Sequence, residues 1–108
     1  MDDIRNRDMK DLINFLFFLL NRQNFHLHQI RNEEKRFRKA VEFFATTHTK
    51  LSHVCQIRDF QLLLAENSRQ MKIHHEKLQK FLDLNGDLKD TPLYQKATEV
   101  LKETLYAI

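Results

Sequence analysis

Six histidines, one cysteine and two serines are the side chains of this 108-residue sequence best suited to metal or nucleophilic chemistry. A metal held on a helix needs ligands three or four residues apart, because only those side chains point the same way. The pairs His26/His28, His48/His53 and His74/His75 all diverge on a helix, and the Glu-x-x-His spacing of di-iron bundles does not occur. His53 and Cys55 could share a metal only on extended backbone. Ser52 follows His48 by four residues, yet nothing nearby supplies an oriented acid or an oxyanion hole. Cys55 lies among Leu51, Val54 and Ile57 and reads as a small buried hydrophobe rather than a reactive thiol. With a single glycine, Gly86, no glycine-rich phosphate loop exists, and no paired-carboxylate signature stands out. The expectation is a protein that is not an enzyme, with no catalytic residue, metal, cofactor or small-molecule substrate.

Binding is the remaining chemistry, and two segments offer it. In Arg31-Asn32-Glu33-Glu34-Lys35-Arg36-Phe37-Arg38-Lys39, the side chains of Arg31, Lys35, Arg38 and Lys39 share one side of a helix. Like charges four residues apart repel, so this arrangement suggests an anionic partner for Arg31, Lys35, Arg36, Arg38 and Lys39. A solvated face screened by Glu33, Glu34 and Glu42 is the plainer account. The second segment is apolar. Met9, Leu12, Ile13, Leu16, Leu19 and Leu20 form one helical stripe, whereas Phe15 and Phe18 fall on the other side, in line with Ile4, and Phe17 fills the flank. Phe15 and Phe18 cannot face the same core as Leu12 and Leu16, so they need another helix, a second copy or a partner protein to cover them.

Charge is uneven along the chain. The first 21 residues hold three basic and four acidic side chains, residues 22–58 hold eight and three, and residues 59–108 hold seven and eight. The net +3 therefore resides in the middle third. One cysteine excludes an intramolecular disulfide scaffold. Met1-Asp2-Asp3 lacks the basic opening of a signal peptide, and the apolar block Leu12–Leu20 is about half the roughly twenty residues a membrane span needs. An intracellular, cytoplasmic location is expected.

One glycine and one proline in 108 residues exclude most folds built on tight turns, so the chain is expected to be all-α. Apolar spacing predicts a first helix over about Asp2–Arg22, with a turn at Asn21-Arg22-Gln23-Asn24. A second seam runs through Leu27, Ile30, Glu34, Phe37, Val41, Phe44, His48, Leu51 and Cys55. A dense apolar run, Leu51–Ala65, leads into a stripe of Met71, His74, Leu78, Phe81 and Leu82 on a different helical face. Either the chain turns near Thr46–Thr49, or one long helix changes its buried face, or a turn falls at Glu66-Asn67-Ser68. Gly86 reads as a left-handed helix stop. Asp90-Thr91-Pro92 reads as a helix start, followed by Leu93, Ala97, Val100, Leu101 and Leu105.

These elements predict a single domain over residues 1–108, an antiparallel bundle of four helices with coiled-coil-like packing and a long third helix. The expected function is protein–protein interaction, as adaptor, assembly subunit or chaperone, with Ile4, Phe15, Phe17 and Phe18 docking another protein or a second copy. A long helical hairpin with apolar grooves is similar, in shape alone, to cytosolic export chaperones that hold helical cargo tails. The alternative is nucleic-acid association through residues 31–39. Membrane attachment through the first helix is disfavoured by Asp2, Asp3, Asp8 and Asp11 at its start.

Overall fold

Long unbroken runs of good helix formers produce long helices here, and the computed structural model describes them over residues 3–107. Helix α1 spans Ile4–Glu42, α2 spans Thr47–Leu84 and α3 spans Pro92–Ala107, with a single 3-10 turn at Gly86–Leu88. No strand occurs among the described residues. The expected four helices are therefore three. The expected start at Asp2 lies outside the described residues.

The missing turns have a physical cause. Asn21–Asn24 contains no proline or glycine to force an exit, and Gln23 turns inward to accept a 3.1 Å hydrogen bond from the Asn67 side-chain amide. The same bond holds Asn67 in the interior, and Glu66-Asn67-Ser68 is helical within α2. The chain does reverse once in this region, at residues 43–46, just ahead of the expected Thr46–Thr49. The Phe44 amide donates to the Val41 carbonyl and the Ala45 amide to the Ala40 carbonyl, the paired bonds of a Schellman close. Phe44 holds the left-handed position of that motif, with φ of 56°. Thr46 then caps α2, accepting from the Thr49 amide at 3.2 Å.

Contacts divide the chain into two units, one formed by residues up to Asn21 and from Ser68 onward, the other by Arg22–Asn67. In the first, parts of α1 and α2 pack with α3 around Met9, Ile13, Leu16, Leu78, Leu82, Leu88, Ala97, Val100 and Leu101. Arg5 bonds Asp3, Asn85 and Asp87, tying the start of α1 to the connection that leads into α3. Thr91 caps α3 as expected: its hydroxyl accepts from the Tyr94 amide at 3.3 Å, with Pro92 in the first turn. Gly86 does not take a left-handed conformation. Asn85 closes α2 instead, its side-chain amide donating to the Phe81 carbonyl at 2.7 Å.

The second unit is a hairpin of two helices. Residue 23 meets 67 and residue 33 meets 53, so the helices run antiparallel. The seam expected on Leu27, Glu34, Val41, Phe44, Leu51 and Cys55 is displaced. Gln23, His26, Ile30 and Glu33 are the buried residues of α1 here, while Glu34, Val41, Phe44, Leu51 and Cys55 are exposed. An unbroken helix keeps one phase: the buried series Met9, Ile13, Leu16 and Leu19 continues at three- and four-residue steps into Gln23, His26, Ile30 and Glu33. Cys55 is thus a surface thiol rather than a core residue.

Two stability changes follow from the caps. Thr91→Ala should lower the unfolding free energy by about 1 kcal/mol. Phe44→Gly should raise it by up to about 1 kcal/mol, because glycine enters the left-handed region without the steric cost a side chain incurs. Urea denaturation followed by circular dichroism measures both, and a destabilised Phe44→Gly protein would contradict the assignment of strain.

Candidate protein-docking surfaces

The phenylalanines at the end of the first apolar block separate into different environments. Phe17 packs against the three-helix core, with the Lys96 ammonium 5.7 Å from its ring centroid. Phe15 and Phe18 stay 41% and 55% exposed, their ring centroids 6.0 Å apart. Phe15 also meets His74 edge-on at 4.4 Å. Burial and the nearby Lys77 hold the His74 pKa below its ordinary value, so the ring beneath Phe15 favours its neutral form. Asp8, Asp11, Leu12, Phe15, His74 and Phe81 line an open depression of about 460 Å³. Its lining is mainly apolar and aromatic, with two carboxylates to one side. Ile4 is 74% exposed and lines a separate depression with Asp3, Asn6, Arg7, Lys10 and Leu93. The structure therefore joins Phe15 to Phe18 and leaves Ile4 and Phe17 apart from them.

On the two-helix unit, Phe25, Leu62 and Leu63 are 56%, 62% and 44% exposed. The antiparallel register sets residue 25 level with residues 62–65. None of these three stands out in the sequence, because each lies inside a run whose neighbours are also apolar or helix-forming. Arg31, Lys35, Arg36, Arg38 and Lys39 are all exposed. Arg36 is engaged by the Glu33 carboxylate, which leaves Arg31, Lys35, Arg38 and Lys39 directed at solvent along α1.

Between the two helices of this unit lies a row of polar side chains that periodicity alone would assign to apolar residues. The Glu33 carboxylate is buried and accepts from His53 Nδ1 at 3.1 Å and from Arg36. The Gln56 amide, in the orientation its neighbours dictate, donates to both Glu33 oxygens at 2.9 and 3.1 Å. Burial alone would raise the Glu33 pKa. The His53 and Arg36 hydrogen bonds outweigh burial and hold it below the ordinary value of 4.5. His26 is buried too, yet neither ring nitrogen finds a partner among the described residues. Its pKa is depressed from 6.5 by burial and then by the charge of Arg22.

No cluster of three or more metal-ligating side chains occurs among the described residues. No described helix is long and apolar enough to cross a membrane.

No protein-family model matches the sequence, and no curated protein matches it significantly. Among solved structures, human tubulin chaperone cofactor A superposes with a TM-score of 0.82, covering 94% of this chain and 98% of that one. The likeness is one of fold. Identity is 16%, and the resemblance lies in the all-helical, hairpin-based architecture.

The His26 environment predicts acid sensitivity. The unfolded chain titrates His26 near 6.5 and the folded chain below it, so between those values the unfolded state binds the extra proton. Stability supplied by His26 is complete above 6.5 and is lost as pH falls through the folded value. Glu33 adds a second loss below 4.5, where the unfolded carboxylate takes up its proton first. Between pH 7 and 5, the urea midpoint of the natural chain should therefore fall more than that of His26→Leu. Equal falls would show that His26 does not govern this window.

Proposed function

We propose that this chain is a small helical binding module that holds a protein client against exposed apolar rings, with no catalytic step of its own. The observation that carries the reading is the pair Phe15–Phe18, adjacent rings left open beside Met9, Leu12, Ile13, Leu16 and Phe17, which the three-helix core covers wholly or in part. Burying a large apolar side chain contributes about 1.5–3 kcal/mol, so two such rings supply the hot-spot energy typical of a protein interface. The adjoining depression favours an apolar anchor accompanied by a basic side chain, which Asp8 and Asp11 would meet.

The fold likeness to a tubulin chaperone cofactor supports a chaperone-type role and makes tubulin the first client to test. The chain would act as one domain, in an intracellular compartment, on a protein partner or a second copy of itself. A second reading uses the exposed Arg31, Lys35, Arg38 and Lys39 on nucleic acid. Neutralising three or four phosphates would give a log–log salt slope of about −3 to −4.

The double variant Phe15→Asp/Phe18→Asp should abolish capture of purified tubulin, or self-association seen in solution molar mass, while circular dichroism stays unchanged. Undiminished association in both measurements would remove the docking role of these rings. A flat salt response with RNA and DNA would remove the second reading.

A further inference from the structure

The turn between α1 and α2 displays its aromatic side chains instead of hiding them. Phe43 is 75% exposed and Phe44 is 94% exposed. Phe44 occupies the one left-handed, non-glycine backbone position among the described residues. A phenylalanine there is sterically disfavoured and covers no core, so nothing in the fold itself calls for that side chain. Around the turn, residues 36–50 include Arg36, Arg38, Lys39 and Lys50 against a single acid, Glu42. Arg36 is bound to Glu33, whereas Arg38 and Lys39 are exposed on the last turns of α1.

The backbone amides next to the two rings are also paired. The amides of Phe43, Phe44 and Ala45 donate to the carbonyls of Lys39, Val41 and Ala40, and the Thr49 amide donates to Thr46 Oγ1. This pairing lowers the cost of bringing the two rings into a water-poor layer, since an amide carried there without a partner is costly. Projecting rings with a cationic collar match the two signals that hold a protein on an acidic membrane, apolar insertion and attraction to headgroups.

We propose that this turn is a membrane-surface contact, with Phe43 and Phe44 entering the interfacial layer of an anionic bilayer while Arg38, Lys39 and Lys50 meet lipid phosphates. The proposal is independent of client docking at Phe15 and Phe18, because it uses none of the same side chains. Val41, 48% exposed one turn earlier, extends the apolar apex. Glu42 opposes binding, so removing its charge strengthens it.

The test is co-sedimentation of the full chain with phosphatidylcholine vesicles, with and without phosphatidylserine, at low and high salt. The expected result is binding to phosphatidylserine vesicles that weakens as salt screens the collar, with little binding to phosphatidylcholine alone. Phe43→Ser/Phe44→Gly should reduce that affinity about tenfold or more, from the lost apolar contact, while helicity is retained. Lys39→Ala/Lys50→Ala should reduce it by a similar factor and flatten the salt dependence. Glu42→Gln should increase it. Absence of binding to phosphatidylserine vesicles at low salt overturns the proposal, as does full binding by the phenylalanine double variant. Vesicle indifference combined with tubulin or single-stranded RNA capture that the same variant loses also overturns it, and assigns the apex to that partner.

Discussion

Two helices lying side by side can bury only the strip along which they touch. That constraint governs residues 22–67, where no third helix belongs to the unit. Ile30 is its single buried hydrophobic residue, and the remaining apolar side chains are half-buried or open. In the other unit α3 supplies the missing wall, and nine buried apolar residues form one cluster. The difference in core composition between the units thus follows from the number of helices in each. Exposed phenylalanine and leucine in the hairpin are a geometric consequence of its width before they are a functional signal. Function enters where exposure also carries a cost or a specific neighbour.

The polar row inside the hairpin follows from the same geometry. A thin seam is close to solvent, so Glu33 can remain ionised with His53, Arg36 and Gln56 around it. A satisfied buried carboxylate fixes register, because sliding one helix past the other would strand a charge. Gln23 and Asn67 act likewise through the hydrogen bond between their side-chain amides. His26 differs from them, being buried with no hydrogen-bond partner for its ring among the described residues. The two helices are thereby held in one alignment by polar bonds rather than by a continuous apolar core.

The apex reverses the usual division of labour between glycine and larger residues. The sole glycine, Gly86, sits at a backbone conformation any residue could take, and a Cβ there would meet no atom within 4 Å. The left-handed close that favours glycine is occupied by Phe44. Stability alone would place the residues the other way round. The fold therefore gives up free energy at its turn while presenting an aromatic ring, and the proposed bilayer contact gives that exchange a purpose.

Much of this architecture was legible in the sequence. Scarcity of glycine and proline implies helices throughout, the Thr91-Pro92 pair marks the start of α3, and the Met9–Leu19 stripe is a true core face. The turns were harder, since polar clusters such as Asn21–Asn24 and Glu66–Ser68 look like breaks when their inward-facing amides cannot be seen to pair. The hairpin seam lies off the apolar periodicity for a related reason. Periodicity follows hydrophobicity, and here Gln23, His26 and Glu33 occupy the buried positions while Val41, Phe44 and Leu51 lie outside. The open rings of Phe15 and Phe18 were visible as a surplus on one helix, whereas those of Phe25 and Phe44 were not. What local composition determined by itself was the helical state of each segment, because propensity and capping act over a few residues. Tertiary structure alone decided which face of each helix is covered, since that depends on where the partner helix lies and on which polar groups can be satisfied there.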